Sequence, residues 1–268
     1  MPDYPPKASL SPHSTVTVGG VPVATIGRAD LVAAWVARCT GSGETSHSPT
    51  LVFDANAHAL SLRETDPHYR AALAQADIVH ADGGLIVMAS RWLAGAPIPE
   101  RSSTTDMFDD FAEAAVQEEL SFFLFGATEE VNEACAKVLA KKYPGLRIVG
   151  RRHGFFGPDD ESVIVEQINA STPDVLWVGL GKPLEQEFAA RNAYRLRAKW
   201  VVTCGGCFNY VTGHYPRAPE WMRNNSLEWL HRALTGPKRL IWRYLTTNPH
   251  AVWVILKSLV AHQRHHKA

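Results

Sequence analysis

DVLWVGLG, residues 174–181, decides the fold. Four apolar residues, Val175 to Val178, run without alternation into a glycine turn, the pattern of a strand buried on both faces. The residues after it, 184–196, have helical spacing, so the unit reads as strand, glycine turn, helix. Working outward, the same unit recurs. TLVFDA (50–55) is followed by a helical region from His58 to Gln75 that breaks at Asp66-Pro67. ADIVHADG (76–83) is followed by LIVMASRWLAG (85–95), with Gly95 as the expected stop. SFFLFGAT (121–128) precedes a helix that Thr128 should cap, with Glu129 and Glu130 in the turn where the helix dipole favours acids. LRIVG (146–150) leads through RRHGFFGPDD to a helix over 161–170, and KWVVTCGG (199–206) is a last strand. Repeated strand–helix alternation predicts an α/β fold: a mainly parallel, Rossmann-like sheet flanked by helices. From about Ala218 the chain reads as helical.

The 268 residues, 46% hydrophobic and 20% charged, suffice for one large α/β domain with a smaller appendage. Residues 1–15, rich in proline and serine, read as a flexible leader without the pattern of a secretory signal. The catalytic domain is expected over 16–216 and a helical, basic appendage over 217–268. Net charge is zero but uneven. Nine Lys and Arg residues follow from Arg217 onward against only Glu220 and Glu228, leaving about −7 before that point and +7 after it. Trp221, Trp229, Trp242 and Trp253 interleave with these charges, which favours an anionic interface over a merely solvated face. The apolar stretch from Ala251 to Ala261 is about half a membrane span, so no transmembrane helix is expected. The tail has no nucleic-acid reading motif. Cys39, Cys135, Cys204 and Cys207 make no disulfide framework, and the C-x-x-C of 204–207 lacks the further ligands that zinc would need.

Ligands of such sheets bind at the carboxyl ends of the strands. Those ends carry Asp54 and Asn56, Asp82-Gly83-Gly84, Gly126-Ala127-Thr128, and Gly179 and Gly181. The dinucleotide fingerprint is not completed around Glu185, which disfavours an NAD site. Asp82 is either a helix N-cap or a catalytic acid/base, and Asp54 and Arg101 could tune it if they converge on it. Arg101, in PERSSTTD (99–106), either binds phosphate or sugar or lies in a solvent loop that caps a helix at Asp106. Gln186 either binds a sugar hydroxyl or nucleobase or faces water. There is no Asp-x-Asp motif, so a bound diphosphate would have to be neutralised by arginines and backbone amides.

Taken in order, Asn56, ADIVHADG, PER (99–101), VGLGKPLEQE (178–187), CGGCFNYVTG (204–213), RAPEWM (217–222), LEWLHR (227–232) and PKRLIWRY (237–244) resemble the WecG/TagA/CpsF glycosyltransferases of bacterial cell-envelope polysaccharide assembly. The resemblance runs from about Val16 to Trp253. It implies a one-step, inverting, metal-independent transfer, without a cofactor, from a UDP-sugar to a sugar on undecaprenyl diphosphate. N-acetylmannosamine is the sugar in the best-known members. It implies that Asp82 is the general base, that Asn56 and Gln186 line the pocket with Arg101 helping to hold it, and that Arg232, Arg239 and Arg243 reach the diphosphate. Asp54, Gly179 and Gly181 belong to the same expected substrate pocket. The appendage would then dock on the anionic inner face of the cytoplasmic membrane, and a homo-oligomer is compatible with this reading. Three departures surround the pocket: Asp54 where threonine is common, Asn209 after Phe208 where aspartate is common, and the cysteines of CGGC. The donor sugar therefore stays open. A competing expectation is a non-catalytic, sugar-nucleotide-binding scaffold of an export complex.

Overall fold

In the computed structural model, the described residues are Tyr4, 13–41, 48–93 and 96–265, without the side chains at 158, 224, 239 and 261–265. The expected leader lies mostly outside them, as do Gly95 and the side chain of Arg239.

A six-stranded parallel sheet forms the centre. Its strands are β3 (Thr50–Ala55), β4 (Ile78–Ala81), β5 (Ser121–Gly126), β6 (Arg147–Arg152), β7 (Val175–Gly179) and β8 (Trp200–Thr203), in the spatial order β4-β3-β8-β7-β5-β6. The chain runs β3 to β4 on one side, crosses to β5 and β6, and then fills inward with β7 and β8. This reversal places the carboxyl ends of β3, β8 and β7 side by side at the sheet centre, where a crevice for ligands is expected. Before the sheet come a small antiparallel hairpin, β1 (Thr15–Val18) and β2 (Val21–Ala24), and helix α1 (Arg28–Thr40).

Strand side chains alternate between two cores. Leu51, Phe53 and Ala55 face one side. They meet the hairpin valines, α2 (Ala57–Thr65), α3 (Pro67–Leu73), α4 (Gly84–Ser90), α7 (Glu161–Ala170) and α8 (Leu184–Asn192). Val52 faces the other, with α1, α5 (Thr104–Gln117), α6 (Glu129–Lys142) and α9 (Cys207–Val211). That second core is strongly aromatic: Trp35 stacks on Phe111 with centroids 4.5 Å apart, and Phe108 lies 4.4 Å from Trp177. All four cysteines are buried and unpaired.

Thr128 caps α6 by accepting from the Val131 amide, as its sequence predicts. α4 and α8 end earlier than their apolar spacing suggests, at Ser90 and Asn192. After α9 come α10 (Glu220–Asn224), α11 (Glu228–Thr235) and α12 (Lys238–His265), the last with Pro249 inside it. Past Pro249, α12 lies along α2, where Ala251 and Ile255 join the core, Ser61 Oγ is 2.9 Å from His250 Nδ1, and Lys257 pairs with Glu64 at 3.2 Å. No described helix is long and apolar enough to cross a membrane.

Candidate active site

The crevice is built from turns that need glycine. Gly126 has φ +140°, and a Cβ there would come within 2.2 Å of the Gly179 carbonyl oxygen, so β5 and β7 can close only without one. Gly181, at φ +79°, turns β7 towards α8, and its amide donates to Glu185 Oε2 at 2.9 Å. The Gly205 amide donates to the same oxygen at 2.9 Å, so Glu185 ties the ends of β7 and β8 together.

Four carboxyl-end residues form one hydrogen-bonded chain. Lys182 Nζ donates to both carboxylate oxygens of Asp54 at 2.5 Å, with both side chains buried. Asn56 Nδ2 donates to Asp54 Oδ2 at 2.9 Å and to Asp82 Oδ2 at 3.2 Å. Asn56 is also the N-cap of α2. Its Oδ1 accepts from the Ala59 amide at 3.1 Å, which fixes the amide with its NH2 towards the carboxylates. The other oxygen of Asp82 accepts from the Thr104 amide at 3.0 Å.

Asp82 is therefore not the cap of the helix that follows it: Gly83 holds that position without a side-chain bond. Burial pushes the Asp82 carboxyl up, but the Thr104 amide, His80, Lys182 and Asn56 together hold it below its ordinary value. It is an ionised carboxylate at neutral pH. Burial pushes Lys182 down, but Asp54 and Glu185 outweigh that and hold it above its ordinary value. Burial pushes Glu185 up to about 6, against Lys182 and with Asp54.

Gln186 is buried. Its Nε2 lies 3.2 Å from Glu185 Oε1 and 3.3 Å from Thr203 Oγ1, while its Oε1 has no hydrogen-bond partner. Arg232 comes from α11 and stacks over the Tyr210 ring at 5.0 Å; a Cβ on Gly206 would approach its Nη2 to 3.6 Å. Burial lowers the Arg232 guanidinium, but Tyr244, Tyr210, Asp82 and Glu228 together raise it, so this cation sits in the field of Asp82. Arg243 lies over Tyr244 at 5.0 Å. The Nε atoms of both arginines are buried without partners.

Arg101 goes elsewhere. It bonds Glu228 Oε2 at 2.8 Å and lies 3.8 Å from Asp106, which is not an N-cap but a first-turn residue of α5, whose N-cap is Ser103. Of the two residues expected to tune Asp82, Asp54 thus reaches it through Asn56, whereas Arg101 is held by α11. Sequence reasoning passed over Lys182, Glu185, Thr104 and His58. The lysine was readable as a cation directly after the glycine turn of 179–181; Thr104 was not, because its contact depends on how α5 docks.

Burial, with Arg243 and Lys182 nearby, lowers His58 to about 3 from 6.5. The folded state thus binds fewer protons than the unfolded one between those values. His58 contributes stability above pH 6.5 that is lost as pH falls towards 3, about 2 kcal/mol of it between pH 6.5 and 5. Urea melts at pH 7 and pH 5 should show a smaller acid loss in His58→Gln than in the wild type; an unchanged difference would overturn the assignment.

The model of the glycosyl transferase WecG/TagA/CpsF family matches residues 16–265, and the chain belongs to that family of glycosyltransferases. Three similar proteins are each named N-acetylglucosaminyldiphosphoundecaprenol N-acetyl-beta-D-mannosaminyltransferase. The one from Bacillus spizizenii is 32% identical over 192 residues, 72% of this chain and 73% of that protein. One from a Staphylococcus aureus strain is 31% identical over 70% of this chain and 73% of its own length. The Bacillus subtilis protein is 28% identical over 72% and 73%.

Proposed function

We propose that the protein transfers a sugar, with inversion, from a UDP-sugar to a sugar on undecaprenyl diphosphate, with Asp82 as general base. The observation that carries this reading is the Asp82 carboxylate, held ionised at the carboxyl end of β4 with Arg232 in its field. The acceptor hydroxyl gives its proton to Asp82 as its oxygen bonds to the anomeric carbon. The bond from that carbon to the phosphate oxygen breaks, and UDP leaves with the electron pair. The unpartnered Nε groups of Arg232 and Arg243 suit the charge that develops on the leaving diphosphate. The relatives' printed names carry the acceptor, N-acetylglucosamine on diphosphoundecaprenol, and the N-acetylmannosaminyl group. Asp54, held by Lys182, is bridged to Asp82 through Asn56, so the donor is kept as a UDP-sugar of open identity.

Incubation with a panel of UDP-sugars and a short-chain polyprenyl-diphosphate glycan should yield one product heavier by one sugar residue, with EDTA leaving the rate unchanged. Binding of UDP with no product from any donor would leave a scaffold instead of an enzyme.

The same reading places the protein on the inner face of the cytoplasmic membrane. Trp221, Trp242, Leu245 and Leu256 are more than half exposed on the basic C-terminal helices, a surface suited to an anionic interface. Trp242→Ser with Leu245→Ser should lower flotation with phosphatidylglycerol vesicles several-fold and leave the melting temperature in place; unchanged flotation would refute it. These substitutions avoid Ala251 and Ile255, which a truncation would remove from the core.

A further inference from the structure

Beside the Asp82 loop lies a cavity of about 510 Å3, within the range of small-molecule sites, whose walls include Arg28, Arg91, Arg101 and Arg223. These arginines are not satisfied one for one. Arg28 is held by Asp110 at 2.8 Å and Arg101 by Glu228 at 2.8 Å. Asp106, however, is shared: Arg217 bonds it, and Arg28, Arg101 and Arg223 stand 3.7, 3.8 and 3.9 Å from it. Asp110, Glu228 and Asp106 thus offset three of these four guanidinium groups and leave one positive charge over. Arg91 has no acidic partner among the described residues, and the Nε atoms of Arg217 and Arg223 are buried without a hydrogen-bond partner. The one further acid in the wall, Glu100, is engaged by the Arg28 amide at 2.7 Å.

Position ties this cavity to the chemistry. Gly84, two residues after Asp82, lines it. A Cβ on Gly84 would lie 1.9 Å from Ser226 Oγ, so glycine is what lets the turn between α10 and α11 close over this wall. Asp106 is two residues beyond Thr104, whose amide holds Asp82. Met88 is in the wall and about half exposed, and the exposed Trp92 and Trp221 are close in sequence to Arg91 and Arg223. An apolar chain attached to an anion seated here has an apolar way out.

We propose that this cavity is a second anion subsite, which takes the diphosphate of the prenyl-linked acceptor, separate from the Arg232 and Arg243 side that faces the leaving diphosphate. The proposal rests on the transfer reading above. In-line displacement needs donor and acceptor on opposite sides of the reacting centre, and two polyanionic substrates then need two cationic cradles. Arg101, tied to α11 rather than to Asp82, is accounted for as part of the second one.

The test is calorimetric titration of the full chain with farnesyl diphosphate and, separately, with UDP. Arg91→Ala and Arg223→Ala should each weaken farnesyl diphosphate binding about tenfold and leave UDP binding unchanged. In turnover, KM for the short-chain polyprenyl-diphosphate glycan should rise while KM for the UDP-sugar stays. Unchanged farnesyl diphosphate affinity, or an equal loss of UDP affinity, would overturn the proposal. So would displacement of farnesyl diphosphate by phosphatidylglycerol vesicles, which would make the cavity a site for bulk lipid headgroups. Arg91 holds no ion pair, so Arg91→Ala carries the test if Arg223→Ala folds poorly. Binding is read without turnover. A wild type that binds farnesyl diphosphate through Arg91 yet transfers no sugar would fail the proposed function and leave the subsite standing.

Discussion

Asp82→Asn is expected to lower the rate of sugar transfer about 100- to 10,000-fold while UDP affinity stays near that of the wild type. The amide keeps the shape of the carboxylate but cannot take a proton at neutral pH. It also has one acceptor oxygen, where Asp82 uses two: one for the Thr104 amide and one for Asn56 Nδ2. In the variant one of those donors faces another donor, so a stability loss of about 1–3 kcal/mol should accompany the kinetic one. The two effects separate cleanly, because product mass measured over time reads the first and a urea melt reads the second. Turnover within a few-fold of the wild type would remove Asp82 from the role of base.

Lys182→Met is expected to be among the most destabilising single substitutions in the protein. Lys182 Nζ is 2.5 Å from the Asp54 carboxylate and 3.8 Å from Glu185, with all three side chains nearly or fully buried. Removal of the cation leaves two uncompensated buried carboxylates, a loss of about 3–5 kcal/mol. At about 2–4 °C per kcal/mol, the midpoint should fall by roughly 10 °C. Asp54→Asn in the same chain should restore much of this, because Glu185, already pushed up to about 6 by burial, rises further without the lysine and can take up a proton. If the double variant melts no higher than Lys182→Met alone, the lysine is not serving as the counter-ion of Asp54.

The parallel sheet was legible because its inner strands are buried on both faces: VLWVG and LVFDA read as apolar runs with no alternation to confuse them. The hairpin of β1 and β2 was not. Gly19-Gly20 between VTV and VPVA is a usable turn signal, but Pro22 inside the second run weakens the strand pattern there. Helix α1 begins at Gly27 with no side-chain cap, so the signal that marked α6 was missing there. At the site, Asp54, Asn56 and Asp82 were found because all three end strands. Lys182 and Glu185 were treated as turn residues, since nothing local says that a lysine after Gly181 will fold back onto an aspartate 128 positions earlier. The destination of Arg101 was likewise invisible, because Glu228 is distant in sequence and belongs to a helix whose docking only tertiary structure decides.

Helix α2 is short, and both of its ends are committed. Asn56, at its start, bridges Asp54 and Asp82, while Ser61 and Glu64, further along, hold α12. Nine residues thus form a rigid strut between the proposed base and the helix whose outer face carries the exposed tryptophans. The alignment of Asp82 and the seating of α12 are in consequence one mechanical setting, and neither can be adjusted without moving the other.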